Sequence, residues 1–416
     1  MRTMTTKARK QGSLMEDLPT DIATFVDTHL VDRHNSNAVK WDGLKEEFGR
    51  ADLLPMWIAD TEFKAPQAVL DALTVRVKEG TFGYSIRPQS YYEAFINWQK
   101  ERHGITVEPE WMRFGVGVVK SLYAMVNWLT EPGDPVLIMQ PVYYPFMNAI
   151  NDLGRKVVSV DLQLTADGWR MDFDQLEKTL AANEIKAMIL CSPHNPVGRI
   201  WTRDELEQLF AITSRYDVTV VSDEIHGDLE VSGPKFTSAL QVAEGKARKK
   251  LVVLNAPSKT FNLAALLNSH IIIPDQALRT SYDAFIKQLH PVDTSLMGQV
   301  AGEAAYRHGA AWLDQVLQVV RYNYRQLQAG LAAAAPQATL ADLQGTYLAY
   351  VDIGAYVAPS QIKDFVEGVC GLAVDYGAWF SPQTATYIRL NLATDPKLVA
   401  EAINRLTTHL AQQPQR

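Results

Sequence analysis

Short apolar runs alternate with amphipathic stretches along most of this chain. Val136-Leu-Ile-Met139 follows the turn Pro132-Gly-Asp134 and reads as a buried strand. Segments 156–160, 187–190, 218–222, 251–254 and 270–273 repeat that signature. Runs that are apolar throughout, instead of alternating with polar residues, belong to strands covered on both faces. Helical patterns separate them. Segment 89–103 carries Tyr92, Phe95, Ile96 and Gln99 at helical spacing and is closed by Gly104. Segment 172–182 reads as a capped helix, and Thr202-Arg-Asp-Glu205 is a capping box opening a helix to about Tyr216. This alternation predicts an α/β fold with a mostly parallel sheet flanked by helices. The last third differs. A long helical pattern at 295–331, a strand at 346–352, a helix at 360–367, a strand at 387–391 and a final helix from Pro396 predict a smaller α+β domain.

With 416 residues, two domains are expected, since one core does not grow that large. The composition, 47% apolar and 21% charged, is that of a globular chain, and the net charge of -7 argues against a nucleic-acid binder. No apolar stretch follows the basic first residues and none reaches 18 residues, so neither a secretory signal nor a membrane span is expected. Cys191 and Cys370 suggest no disulfide framework, and a cytoplasmic location fits. No metal site is expected. Residues 1–18 read as a disordered tail.

Candidate chemistry gathers where the predicted strands end, the edge at which open parallel sheets bind ligands. Ser258-Lys-Thr-Phe-Asn262 follows the run 251–254 after Asn255-Ala-Pro257. Alone, Lys259 reads first as a surface lysine. Flanked by apolar residues, it is also a candidate amine nucleophile of lowered pKa. Ser222-Asp-Glu-Ile-His226 ends another strand; a carboxylate at that depth needs a cationic partner, and Asp223 is the candidate, with Glu224 pointing elsewhere. A third strand ends in Ser192-Pro-His-Asn-Pro-Val-Gly198, a stiff loop suited to presenting Asn195. Gly115-Val-Gly-Val-Val-Lys-Ser-Leu122 is a turn opening a helix, whose N–H groups suit a phosphate; it lacks the third glycine of a dinucleotide fingerprint.

The order Asn195, Asp223, Lys259, with separations of 28 and 36 residues, resembles the fold-type I pyridoxal-phosphate enzymes of aminotransferase class I/II. More narrowly, the chain resembles the MalY/PatB group of cystathionine β-lyase-like C–S lyases. That likeness rests on Asn35-Ser-Asn-Ala-Val-Lys-Trp-Asp42, Pro55-Met-Trp-Ile-Ala-Asp60, Phe82-Gly-Tyr-Ser85, Pro141-Val-Tyr-Tyr-Pro-Phe146, Pro193-His-Asn-Pro-Val-Gly-Arg199 and His226, and spans about residues 22–412. It implies a large pyridoxal-phosphate-binding domain at 61–294 and a small domain built from 19–60 and 295–416. It further implies Lys259 as the Schiff-base lysine and proton carrier, and Asp223 opposite the pyridinium nitrogen. Asn195 and His226 would lie near the ring oxygen, with Tyr143 stacked on the ring. The backbone of Val119 and Lys120 and the Ser258 hydroxyl would hold the phosphate. Tyr84 would reach the phosphate of a neighbouring subunit, which implies a homodimer with active sites at the interface. Arg389, with Asn195, would grip the substrate carboxylate; without the resemblance it reads as a surface strand arginine.

Three departures stand out. Ala59-Asp-Thr-Glu-Phe63 occurs where the group has Ala-Asp-Met-Asp-Phe, beside the expected substrate position. Ala265 replaces a common glycine and Tyr350 a common tryptophan. The implied reaction is β-elimination on cystathionine or cysteine S-conjugates, giving a thiol, pyruvate and ammonia. The alternatives are an aminotransferase and, in another class, a non-catalytic ligand-binding or regulatory protein on the same scaffold.

Overall fold

A computed structural model of the chain describes residues 18–289 and 295–414. The expected tail lies outside the described residues except for Leu18, which packs half-buried against the main core.

Seven strands form the central sheet. Their spatial order is Met112–Gly115, Ser269–Ile272, Leu251–Asn255, Thr219–Asp223, Ala187–Cys191, Pro135–Ile138 and Lys156–Ser159. The three middle strands are buried along their whole length, as their apolar runs require. All strands but one run in the same direction; Ser269–Ile272 is antiparallel to both neighbours. The reversal has a local cause. Between Asn255 and Ser269 the chain makes only a one-turn helix, Pro257–Thr260, and a 3-10 turn, Ala264–Leu266. Without a crossover helix it returns from the edge at which it left.

The expected helices are present. Gln89–His103 ends on left-handed Gly104, although its buried face is centred on Tyr91, Phe95 and Trp98, leaving Tyr92 and Ile96 at the margin. Asp172 caps Phe173–Ala182 by accepting from the Gln175 N–H. The capping box of Thr202 and Glu205 is complete on Arg203–Arg215. The long pattern after residue 295 is two helices, Leu296–His308 and Ala310–Ala334. Near residue 360 the expected α-helix is instead a 3-10 turn, Pro359–Gln361, followed by a π-helical stretch, Asp364–Val369. A hairpin of Gln163–Thr165 and Gly168–Arg170 went unpredicted, because its mostly exposed strands carry few apolar residues.

A second sheet orders Thr339–Leu340, Leu348–Asp352, Tyr387–Asn391 and Asp375–Tyr376, all antiparallel. Tyr387–Asn391 is buried throughout and carries Arg389 toward the central sheet. Among the described residues no helix is long and apolar enough to cross a membrane.

Candidate active site

Cys191, Asp223 and Leu254 are register partners on three adjacent parallel strands, so the segments that follow them emerge side by side. The first segment is the Asn195 loop. It is tied back to its strand by the Cys191 thiol, which donates to the Pro193 carbonyl and accepts from the Asn195 N–H, both at 3.4 Å. The second strand ends in Asp223 itself. The third leads into the single helical turn that carries Lys259. Facing them is the start of helix Val118–Leu129, whose first N–H groups have no carbonyl within the helix to bond. Gly117 precedes it at φ +119°, a backbone state that side chains disfavour.

These segments line a cleft, partly open to solvent, with a cavity volume of about 190 Å³. Val119, Lys120, Tyr143, Asn195, Asp223, His226, Ser258 and Lys259 all line it, so eight of the residues singled out from sequence converge on one wall system. Arg389 joins from behind: its Nη1 donates to Asn195 Oδ1 at 2.9 Å, its Nη2 to the Trp57 carbonyl at 3.3 Å, and it pairs with Asp375. It is buried, not the surface arginine that its strand alone suggested. Tyr84 stands apart. It is fully exposed, outside the cleft of its own chain, and flanked by exposed Phe82 and Ile86.

The charges in the cleft are poorly matched. Burial pushes the Asp223 carboxyl up to about 7, against the pull of the Ile225 N–H at 3.1 Å and of Lys259. Burial pushes the Lys259 amine down to about 8; Asp60 and Asp223 pull it up, and Arg389 presses it further down. Lys259 Nζ donates to the Ala59 carbonyl at 2.7 Å. Burial, then Lys259 and Arg389, lowers the His226 imidazole to about 3, so it is neutral; its Nδ1 is buried without a hydrogen-bond partner among the described residues. Glu224 points elsewhere, as expected: its carboxylate accepts from the Ser222 and Ser238 hydroxyls and the Ala239 N–H.

Segment 57–63, which the sequence motifs already contained, is held in a way they did not show. Its backbone carbonyls are bonded mainly by side chains of the site. Asn391 Nδ2 donates to the Ile58 and Asp60 carbonyls at 2.6 Å each. Asn262 Nδ2 donates to those of Thr61 and Phe63 at 3.0 and 3.2 Å. Ala59 also accepts from the buried Tyr347 hydroxyl at 2.9 Å. Asn262 and Asn391 lie three and two residues beyond Lys259 and Arg389, so the motifs did contain them. The Thr61 and Glu62 departures do not face the cleft. Both are buried, Glu62 pairing with Lys40 at 2.8 Å and accepting from Trp41 Nε1 at 3.2 Å, and of this segment Ala59 lines the cavity.

A buried carboxylate in want of a cation, a buried imidazole nitrogen in want of a partner and a free helix N-terminus suit an anionic, nitrogen-protonated heterocycle. Pyridoxal phosphate has those groups, and the donor set fits it.

Comparison with known proteins agrees. The family model of aminotransferase class I and II matches residues 63–406. The chain is 34% identical to cystathionine beta-lyase PatB of Bacillus subtilis, over 91% of this chain and 98% of that one. It is 34% identical to protein MalY of Escherichia coli over 78% and 83% of the two chains. It superposes on cystalysin of Treponema denticola, a structure that contains a pyridoxal 5'-phosphate cofactor, with a TM-score of 0.87, 31% identity and coverage of 92% and 98%. The sequence motifs, the cleft they build and these likenesses agree: the chain belongs to the class I and II aminotransferase family.

Proposed function

We propose that this protein is a pyridoxal-phosphate-dependent carbon–sulfur lyase, eliminating the β-thiolate of cystathionine or a cysteine S-conjugate to give a thiol, pyruvate and ammonia. The activity follows relatives named cystathionine beta-lyase and the cystalysin likeness. The observation that carries it is the convergence of Asp223 and Lys259 on one wall of one cleft. When bound, the cofactor supplies a protonated ring that draws the electron pair left at the substrate Cα, which weakens the β-carbon–sulfur bond.

The chain's own residues do the rest. Lys259 would hold the cofactor through its amine and, when free, would take the Cα proton of the substrate. An amine near 8 keeps an appreciable neutral fraction at working pH, so it is competent for both tasks. Asp223 would accept from the ring nitrogen and keep it protonated. Asn195 and neutral His226 would lie near the ring oxygen, and Tyr143 would cover one ring face. Ser258 and the N–H groups of Val119 and Lys120 would take the phosphate at the helix N-terminus. Arg389, steadied by Asn195, takes the substrate carboxylate.

Exposed Phe82, Tyr84 and Ile86 support a homodimer in which Tyr84 completes the partner's site. Sedimentation at twice 46.5 kDa is the expected result. Two separate sheets support the division into a large domain at 61–294 and a small one from 19–60 and 295–416. Free Cys191 and Cys370 support a cytoplasmic location.

Incubation of the holoenzyme with cystathionine alone tests the reaction. Pyruvate must form without any 2-oxo acid; a strict requirement for such an acceptor would establish an aminotransferase instead.

A further inference from the structure

We propose that Asp375 is a specificity-determining residue, an internal carboxylate seated on the nitrogen of Arg389 that a substrate carboxylate needs, so that α-carboxylate ligands bind against its competition. The proposal rests on reading Arg389 as the carboxylate fork.

Asp375 stands directly across from Arg389 on the antiparallel pair of Asp375–Tyr376 and Tyr387–Asn391. Opposed residues of such a pair project from the same face, so the contact is built into the register. Both side chains are almost fully buried. Arg389 Nη2 donates to Asp375 Oδ2 and to the Trp57 carbonyl, which commits both of its hydrogens. Nη1 gives one hydrogen to Asn195 and keeps one. Nε is buried and makes no hydrogen bond among the described residues.

A planar guanidinium holds a carboxylate in two bidentate ways, across Nη1 and Nη2 or across Nε and Nη2. Both require Nη2. With Nη2 committed to Asp375 and the Trp57 carbonyl, an incoming carboxylate reaches a bidentate grip only by displacing one of them, of which Asp375 is the anionic competitor, and is otherwise left with a single bond from Nη1. Nε, buried and unpartnered among the described residues, is the second donor of one of the two grips.

The surroundings make this competition dependent on pH. Facing Asp375 are Arg389 from the opposed strand, Glu47 from helix Leu44–Phe48, Tyr143 and Tyr144 from the segment before helix Pro145–Asp152, and adjacent Tyr376. Burial raises the carboxyl to about 6, with Arg389 pulling it down and Glu47 adding to the rise. A protonated Asp375 no longer competes as an anion. Carboxylate affinity therefore rises as pH falls through that value, as long as the ligand stays ionised.

Ligand-observed NMR titration with butyrate, on the cofactor-free full chain and on the holoenzyme, provides the test. Asp375→Asn keeps the shape and removes the charge. At pH 8 it is expected to bind butyrate roughly tenfold more tightly than the wild type, about the worth of one charge-assisted hydrogen bond. At pH 5.5 the gap closes. In turnover, KM for the amino-acid substrate falls more than kcat changes. Equal or weaker butyrate affinity in Asp375→Asn at pH 8 overturns the proposal, since Asp375 would then be supporting the fork. Asp375→Ser gives the same reading if the asparagine variant does not fold. Arg389→Gln separates the two levels: butyrate binding that survives it shows that Arg389 is not the fork, and both readings fall.

Discussion

Asp223→Asn separates two effects that act on one carboxyl with opposite signs. In the cofactor-free chain, burial moves this carboxyl from its usual 3.8 to about 7. Below the unfolded value the group is protonated in both states and contributes nothing. Above about 7 it is ionised in both, and the folded state carries the full cost of the buried charge, ~4 kcal/mol. Stability of the cofactor-free protein therefore falls as pH rises between those two values. The asparagine variant keeps an acceptor for the Ile225 N–H and has no charge to bury. It is expected to exceed the wild type by ~1.5 kcal/mol at pH 5 and ~4 kcal/mol at pH 8. With cofactor the sign reverses, because the ring nitrogen loses its anionic partner. A hydrogen bond to a charged group is worth ~1.5–3 kcal/mol, so the variant is expected to hold pyridoxal phosphate roughly 10- to 100-fold less tightly. Urea unfolding of the cofactor-free chains at the two pH values measures the first effect, and equilibrium dialysis against cofactor measures the second. If the variant's advantage does not grow between pH 5 and 8, the buried-charge reasoning is wrong. If it retains cofactor as well as the wild type, Asp223 does not face the ring nitrogen.

Lys259→Ala should lose the absorbance band at the edge of the visible that borohydride abolishes in the wild type, and turnover should drop by at least ~10³-fold. In the wild-type apoprotein, the rate of cofactor capture should rise with pH and reach half its maximum near 8, since only the neutral amine attacks and burial lowers its pKa to that value; a midpoint near 10 would contradict a buried amine at this position. Lys40→Met leaves Glu62 buried, with its nearest remaining cation, Arg33, at 3.8 Å in place of Lys40 at 2.8 Å. The expected cost is about 3–5 kcal/mol in urea unfolding at pH 8.

The strand-end motifs were legible because local rules suffice for them. A run such as Ala187–Cys191 or Thr219–Asp223 is apolar because it is buried on both faces, and whatever follows it must emerge at the sheet edge. That logic placed Asn195, Asp223 and Lys259 together. The caps at Asp172 and Thr202 were equally local, set by side chains three residues from the N–H groups they bond. Other features depend on contacts between distant segments. The reversed strand Ser269–Ile272 looks in sequence like its parallel neighbours, since burial on both faces erases any mark of direction. Segment 57–63 is held through its carbonyls, which every residue type carries, so its sequence does not announce that it meets Asn262, Lys259, Tyr347 and Asn391. The pairing of Asp375 with Arg389 comes from strand register across 14 residues, and that of Glu62 with Lys40 from packing of the N-terminal segment. The sequence by itself determined which chemistry is available and along which edge it lies. Tertiary structure alone decided which charges meet, because that depends on how distant segments pack and pair in register.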